Sequence, residues 1–200
     1  MSRLVTNAIR STAASSDAMT IDSAGKPSFP NGGVGKILQF KQTVKTDVAS
    51  RGGSSGQDAF AAISGLSVNI TPSSATNKIY LDVRAYGGVD GSTGLYGYFY
   101  KNGSLMSNAI GDASGSLARI SMGSGQGTLL RMDMLHGNFA DVAGGTSAIT
   151  YSIRISSAYS PASPSARTLY INRGGDSDES NGDFKFPRII STITAMEIAA

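Results

Sequence analysis

Two hundred residues with 40% hydrophobic content suffice for one domain with its own core, and no cysteine is present to staple it. The missing cysteines exclude thiolate catalysis, cysteine zinc sites and any redox role, and a single histidine, His136, excludes a multi-histidine metal centre. A net charge of +3 with no run of Lys or Arg excludes the basic stripe that a nucleic-acid partner requires, and no apolar stretch is long enough to span a membrane.

The opening decapeptide MSRLVTNAIR lacks the apolar run of a secretory signal, so synthesis in the cytoplasm of the producing cell is expected. Ser and Gly make up more than a quarter of the chain, a share found in disordered tracts and in turn-rich β proteins alike. Clear period-two alternation from Lys36 onward decides for the second.

The first segment, NAIRSTAASSDAMTIDSAGKPSFPNGG (Asn7 to Gly33), is too polar to build a core, yet carries Ile9, Met19, Ile21 and Phe29 at strand-like intervals. It predicts an extended N-terminal arm over residues 1–33, with a hinge at NGGVG and a β domain over 34–200. KILQFKQTVKT is the first predicted strand of that domain. QDAFAAISG is the nearest approach to a helix, but it is short and closes on Ser64-Gly65.

GLSVNIT places Leu66, Val68 and Ile70 on one face, and KIYLDVRAY does the same with Ile79, Leu81, Val83 and Ala85. The turn chemistry of TPSSATN between them predicts neighbouring antiparallel strands. LYGYFYKNG puts Tyr96, Tyr98 and Tyr100 on one face against Leu95, Gly97 and Phe99, and Asn102-Gly103 signals a hairpin because both residues tolerate positive φ. The tyrosines, apolar in body and polar at the tip, are candidates for a subunit interface or a ligand such as a sugar.

LLRMDMLHGN sets Leu130, Met132, Met134 and His136 against Arg131, Asp133 and Leu135, predicting a half-buried strand histidine. ITYSIRIS follows across the turn Ala143–Gly145 as its expected partner, with Ile149, Tyr151, Ile153 and Ile155 on one face. RTLYINR and IISTITAMEIA close the count at eight to ten strands. That number and spacing predict an all-β, antiparallel, jelly-roll-like sandwich, and no fixed-period repeat suggests a solenoid or propeller.

Little of this chemistry is catalytic. One histidine in an alternating strand, with no GxSxG, does not make a nucleophile site, so no enzyme activity and no cofactor is expected. The acidic run GGDSDESNGDF puts Asp176 and Asp178 at the first and third places of a calcium-loop pattern. Asn181 then stands where glycine is needed and Pro187 where the bidentate glutamate belongs, which leaves these two aspartates as weak calcium candidates and predicts no metal site. RGGSSG and GSGQG lack the Gly-Lys-Ser/Thr ending of a phosphate loop.

The arm, with its order I-R-S-T, then S-S-D-A, then T-I-D-S-A-G, resembles the N-terminal segment of bacteriophage tail-fibre and other virion-fibre proteins. ILQFKQTVKTD, GLSVNITPSSATNKIYLDV and IISTITAMEIA resemble a β domain of fibres from marine and cyanobacterial phages. The resemblance implies a homotrimer in the virion, on the tail or the capsid surface. Its arm would dock through Val5, Ile9, Met19, Ile21 and Phe29 onto a tail adaptor, nozzle or capsid, and its distal domain would meet a host-surface glycan or protein. A capsid decoration protein or head fibre is the alternative that the same resemblance allows.

Overall fold

The computed structural model describes residues 6–29, 36–51, 61–89, 94–115, 117–124, 132–157, 168–175 and 188–200. Strand β1 (Ala8–Ile9), β2 (Met19–Ile21) and β3 (Pro27–Ser28) lie in the arm. The body holds β4 (Ile37–Lys45), β5 (Ala49–Arg51), β6 (Ala61–Ile70), β7 (Lys78–Val89) and β8 (Leu95–Lys101). It continues with β9 (Ser104–Leu105), β10 (Met122–Gly123), β11 (Asp133–Val142), β12 (Ile149–Ser157), β13 (Leu169–Ile171) and β14 (Ser191–Ile198). The one helical piece among the described residues is a single 3-10 turn, Ser107–Ala109.

All strand pairs are antiparallel, and their order defines the architecture. One sheet runs β4-β14-β7, with β11 on the other side of β7 and the short β13 and β5 continuing at its far end. The other runs β10-β8-β12-β6, with β9 added to β8. Taking the eight principal strands in chain order, the first pairs with the last (β4 with β14), the second with the seventh (β6 with β12), the third with the sixth (β7 with β11), and the fourth with the fifth (β8 with β10). That nesting is a long hairpin rolled into two sheets, a jelly roll, as the strand spacing predicts.

The roll corrects the predicted neighbours. β6 and β7 follow one another across TPSSATN but lie in different sheets, and so do β11 and β12 across Ala143–Gly145. A turn-rich link reverses the chain without saying whether the next strand pairs alongside or crosses the sandwich. Only Asn102-Gly103 makes a hairpin as read, with φ of 49° and 79° and β8 paired to β9. Likewise Ala61–Ile63 of the helix-like QDAFAAISG belongs to strand β6.

Alternation decides burial as expected in most strands. Leu66, Val68 and Ile70 of β6, Ile79, Leu81, Val83 and Ala85 of β7, and Tyr151, Ile153 and Ile155 of β12 all point into the core. Strand β11 is the exception. Leu135, aligned with Ala85, is buried, while Met134 and His136, aligned with Tyr86 and Arg84, face outward. His136 is therefore a surface residue, not a half-buried one. The inner set of this strand includes Gly137 and Asp141, which disguise it as the polar face. Gly137 leaves room for Met122, whose Cε would lie 2.9 Å from an added Cβ. Asp141 is bonded by Lys101 Nζ at 2.7 Å and by the hydroxyl of Tyr151 at 2.7 Å. Burial and then that bond to Asp141 push the Tyr151 phenol well above its ordinary value.

Glu197 on β14 is fully buried with no cation against it in its hydrogen-bond set. Its Oε1 accepts from Ser73 N (2.7 Å), Ser73 Oγ (2.7 Å) and Asn77 Nδ2 (2.6 Å), and Gln39 of β4 donates to Oε2. Burial pushes this carboxyl upward, but the donors outweigh it and hold it below its ordinary value. Asn77 in turn accepts at its carbonyl from Ala143 N (2.9 Å) and at Oδ1 from Ala200 N (3.2 Å). One carboxylate thus ties β4, the β6–β7 turn, the β11–β12 turn and the C-terminal residues together at one end of the roll.

Candidate functional site

The arm folds into a miniature antiparallel meander whose strands pair only with one another. Ile9 aligns with Met19 and Ile21 with Pro27. Asp22 shapes the tight turn before β3: its Oδ1 accepts from Ala24 N and Lys26 N, both at 2.9 Å, and Gly25 takes φ of 78°. Because strand side chains alternate, Ile9, Met19 and Ile21 share one face, continued by Pro27 and, two residues on, Phe29. Ala8, Thr20 and Ser28 take the other face. Ile9 and Phe29 are 48% and 54% exposed. The structure therefore gathers four of the five predicted docking residues onto one apolar face; Val5 lies outside the described residues. Three strands of two or three residues bury too little to hold this shape unaided.

The body begins beside its own C-terminus, where Ala199 N donates to Lys36 O at 2.9 Å. That end also carries the β6–β7, β8–β9 and β11–β12 turns. At the opposite end lie the end of β4 and the start of β6, the end of β7 and the start of β8, the end of β10 and the start of β11, and the end of β12 and the start of β14.

The two outer sheet faces differ. On β8, Tyr96, Tyr98 and Tyr100 are half-buried and face outward, while Leu95, Gly97 and Phe99 face the core, as predicted. They align with Ser156, Arg154 and Ser152 of β12, and the Arg154 guanidinium lies 4.1 Å from the Tyr100 ring centroid. Burial, then the neighbouring Tyr100, raises the Tyr98 phenol above its ordinary value. This face, rich in hydroxyls and rings, suits a polar ligand that also has apolar edges, such as a sugar.

Sequence reasoning missed the outer face of the six-stranded sheet. Two rows cross it: Phe40–Met196–Tyr80–Ala140 and Ile37–Ile198–Lys78–Val142. Ile37, Phe40, Val44, Met134 and Val142 on this face are 45–57% exposed. An open groove of about 590 Å³ runs over it, floored by Tyr80, Asp82, Arg84 and Tyr86 and walled by Ile189 and Ile190. Asp82 Oδ2 meets His136 Nε2 at 3.2 Å and Oδ1 lies 3.6 Å from Arg84 Nε. This pair orients the imidazole. The signal available in the sequence was the inverted amphipathicity of ILQFKQTVK: its apolar Phe40 and Val44 point to solvent, and its Gln39 and Lys45 point inward.

The calcium candidates Asp176 and Asp178 lie outside the described residues. Among the described residues, no three acidic or histidine side chains are grouped to hold a metal ion, and no helix is long and apolar enough to cross a membrane.

These features define an antiparallel jelly roll bearing a short β arm, with one tyrosine-and-hydroxyl face and one apolar face. No protein-family model matches the sequence, and no curated protein matches it. Among solved structures, a chain of the T13 viral particle of infectious bursal disease virus is 12% identical with a TM-score of 0.39, over 80% of this chain and 39% of that one. A chain of infectious bursal disease virus strain Gx is 11% identical with a TM-score of 0.35, over 97% of this chain and 44% of that one. The chain spans less than half the length of either. Likenesses this slight assign neither its function nor its partners.

Proposed function

We propose that the chain is a structural virion protein of the bacteriophage tail-fibre type, without enzymatic turnover. In this reading a homotrimer docks on the tail through the arm and meets a host-surface glycan or protein through the jelly roll. The observation that carries it is the arm itself: Ile9, Met19, Ile21 and Phe29 share one face of a meander too small to be stable alone, with Ile9 and Phe29 exposed and Met19 and Ile21 half-buried. Such a segment is completed by a partner, and β-strand pairing with apolar anchors is a common way for an extended segment to dock.

Two further features support the reading. The arm precedes the strand β4, whose first residues lie beside the C-terminal end of the roll, which suits attachment at that end. Jelly rolls serve viral capsid and lectin domains, and this analogy of architecture suits both halves of the proposal. The tyrosine stripe with Arg154 is the part of the described surface best fitted to a sugar.

Deleting Met1–Pro30 tests the proposal. The truncated protein is expected to keep the thermal melt of the body and to be absent from particles assembled in its presence. Incorporation at the wild-type stoichiometry would overturn the docking role. The same shell-facing use of a jelly roll keeps a second reading open, a capsid decoration protein or head fibre. Copy number per particle separates the two, since shell proteins occur in the hundreds and tail fibres in small multiples of three.

A further inference from the structure

We infer that the outer face of the five-stranded sheet, around Arg154 and Tyr100, binds a saccharide that carries a carboxylate. The inference deepens the host-surface glycan named above and rests on that reading for where such a sugar is met. Three observations lead to it.

The first is the state of Arg154. Its guanidinium lies 4.1 Å from the centroid of the Tyr100 ring, and its hydrogen bond among the described residues is a long one, from Nη2 to Gly103 O at 3.4 Å. Lys45 and Lys101, by contrast, meet the carboxylates of Asp47 and Asp141 at 2.8 and 2.7 Å. No carboxylate among the described residues pairs with Arg154. An arginine stacked on a ring keeps its fork of N–H groups for a planar acceptor with two oxygens, and a carboxylate has that shape.

The second is the charge around it. Strands β6, β8 and β12 contain no aspartate and no glutamate, so no like charge on them opposes an anion brought to Arg154. The guanidinium is half-buried, and water screens it less than it would a free side chain. A neutral sugar leaves this cation without a counter-charge; an acidic one supplies it.

The third is the chemistry of the rest of the face, which favours a saccharide over an acidic protein. Among the described residues, the hydroxyls of Tyr96, Tyr100, Ser152 and Ser67 have no hydrogen-bond partner. Ser152 aligns with both Tyr100 and Ser67, so three of these hydroxyls form a row across three strands beside Arg154. They donate and accept as sugar hydroxyls do, and the tyrosine rings offer apolar bodies to the C–H edges of a sugar. At the other end of the stripe Gly123 lets Ile120 close on Tyr96: an added Cβ would lie 2.8 Å from Ile120 Cδ1 and 3.5 Å from Tyr96 Cδ1. From Tyr96 to Tyr100 the stripe spans about 13 Å, room for a short oligosaccharide. A protein partner is anchored by large apolar side chains, and the described residues of β6, β8 and β12 expose none.

Titration calorimetry of the full-length chain tests this with two acidic sugars, trigalacturonate and 3′-sialyllactose, each beside a neutral counterpart, the trigalacturonate methyl ester and lactose. At least one acidic sugar is expected to bind with a Kd below about 1 mM, and its counterpart at least about tenfold more weakly. Arg154→Gln is expected to lose at least about tenfold in affinity for that sugar, and Arg154→Lys, which keeps the charge but not the fork, to lose less. Tyr100→Leu, on a second strand, is expected to weaken binding independently, and all three variants to keep the thermal melt of a folded roll. Phe40→Ser, on the opposite sheet, is expected to bind as the wild type does. The inference is overturned if the wild type takes up neither acidic sugar, if the neutral counterparts bind as tightly, or if folded Arg154→Gln binds unchanged. A hexa-aspartate peptide that binds as tightly as the acidic sugars overturns it too, in favour of simple charge attraction. If any of these holds while deletion of Met1–Pro30 still keeps the chain out of particles, only the ligand class is lost and the docking role of the arm stands.

Discussion

Leu81→Asp abolishes cooperative folding: its circular dichroism melt is expected to show no transition where the wild type unfolds sharply. Leu81 is fully buried in the centre of β7, flanked in the sheet by Ala195 of β14 and Phe139 of β11. Losing the leucine side chain costs about 2–5 kcal/mol, and an unpaired carboxylate in the same place costs several more. Together these consume the roughly 5–15 kcal/mol by which domains are stable. The next residue provides the contrast, because Asp82 carries the same carboxylate on the outward side of the strand, beside His136 and Arg84. A melt unchanged by Leu81→Asp would mean that the strand faces are assigned the wrong way round.

The second large effect belongs to Glu197. Replacing it with Ala removes the acceptor of Asn77 Nδ2, Ser73 N, Ser73 Oγ and Gln39 Nε2; of these Asn77 is buried, and a buried donor left unpaired costs about 1–3 kcal/mol. Because Ser73 is exposed and Gln39 also donates to Thr71 O at 2.6 Å, a total of about 2–3 kcal/mol is expected. Denaturant unfolding measures it, and a loss under about 1 kcal/mol would show that the carboxylate is dispensable.

The same residue sets a pH dependence. Its pKa is lower in the folded protein than in the unfolded chain, so its stabilisation is fully present above the ordinary glutamate value of about 4.3. As pH falls, the unfolded state takes up the proton first, and the contribution is lost down through the lower folded value. Glu197→Gln is expected to flatten the acid limb of the stability curve relative to the wild type. An acid limb as steep in the variant would assign that dependence to other carboxylates.

Strand faces were legible where both sides of a strand obey a single rule. β6, β7 and β12 alternate apolar residues inward with polar or tyrosine residues outward, so period two sufficed. β11 failed because tertiary neighbours overrode its pattern. Gly137 makes space for Met122, and Asp141 is buried only because Lys101 and Tyr151 come to meet it from other strands. The turn at Asn102-Gly103 was readable because positive φ is a local property. The arm's apolar residues were readable too, but their gathering on one face depends on the meander's register.

What the sequence determined by itself was the all-β class, the turns, the faces of the regular strands and the presence of an arm with too little core. Each follows from alternation and backbone chemistry within a few residues. Only the tertiary structure decided which strands pair, since β6 to β7 and β11 to β12 cross between sheets through links that look like hairpin turns. It also decided that Glu197 is caged by donors from distant segments and that four strands assemble an uncovered apolar face. The physical reason is the same in each case: pairing and burial are set by residues far apart in the chain, and a local pattern carries no record of them.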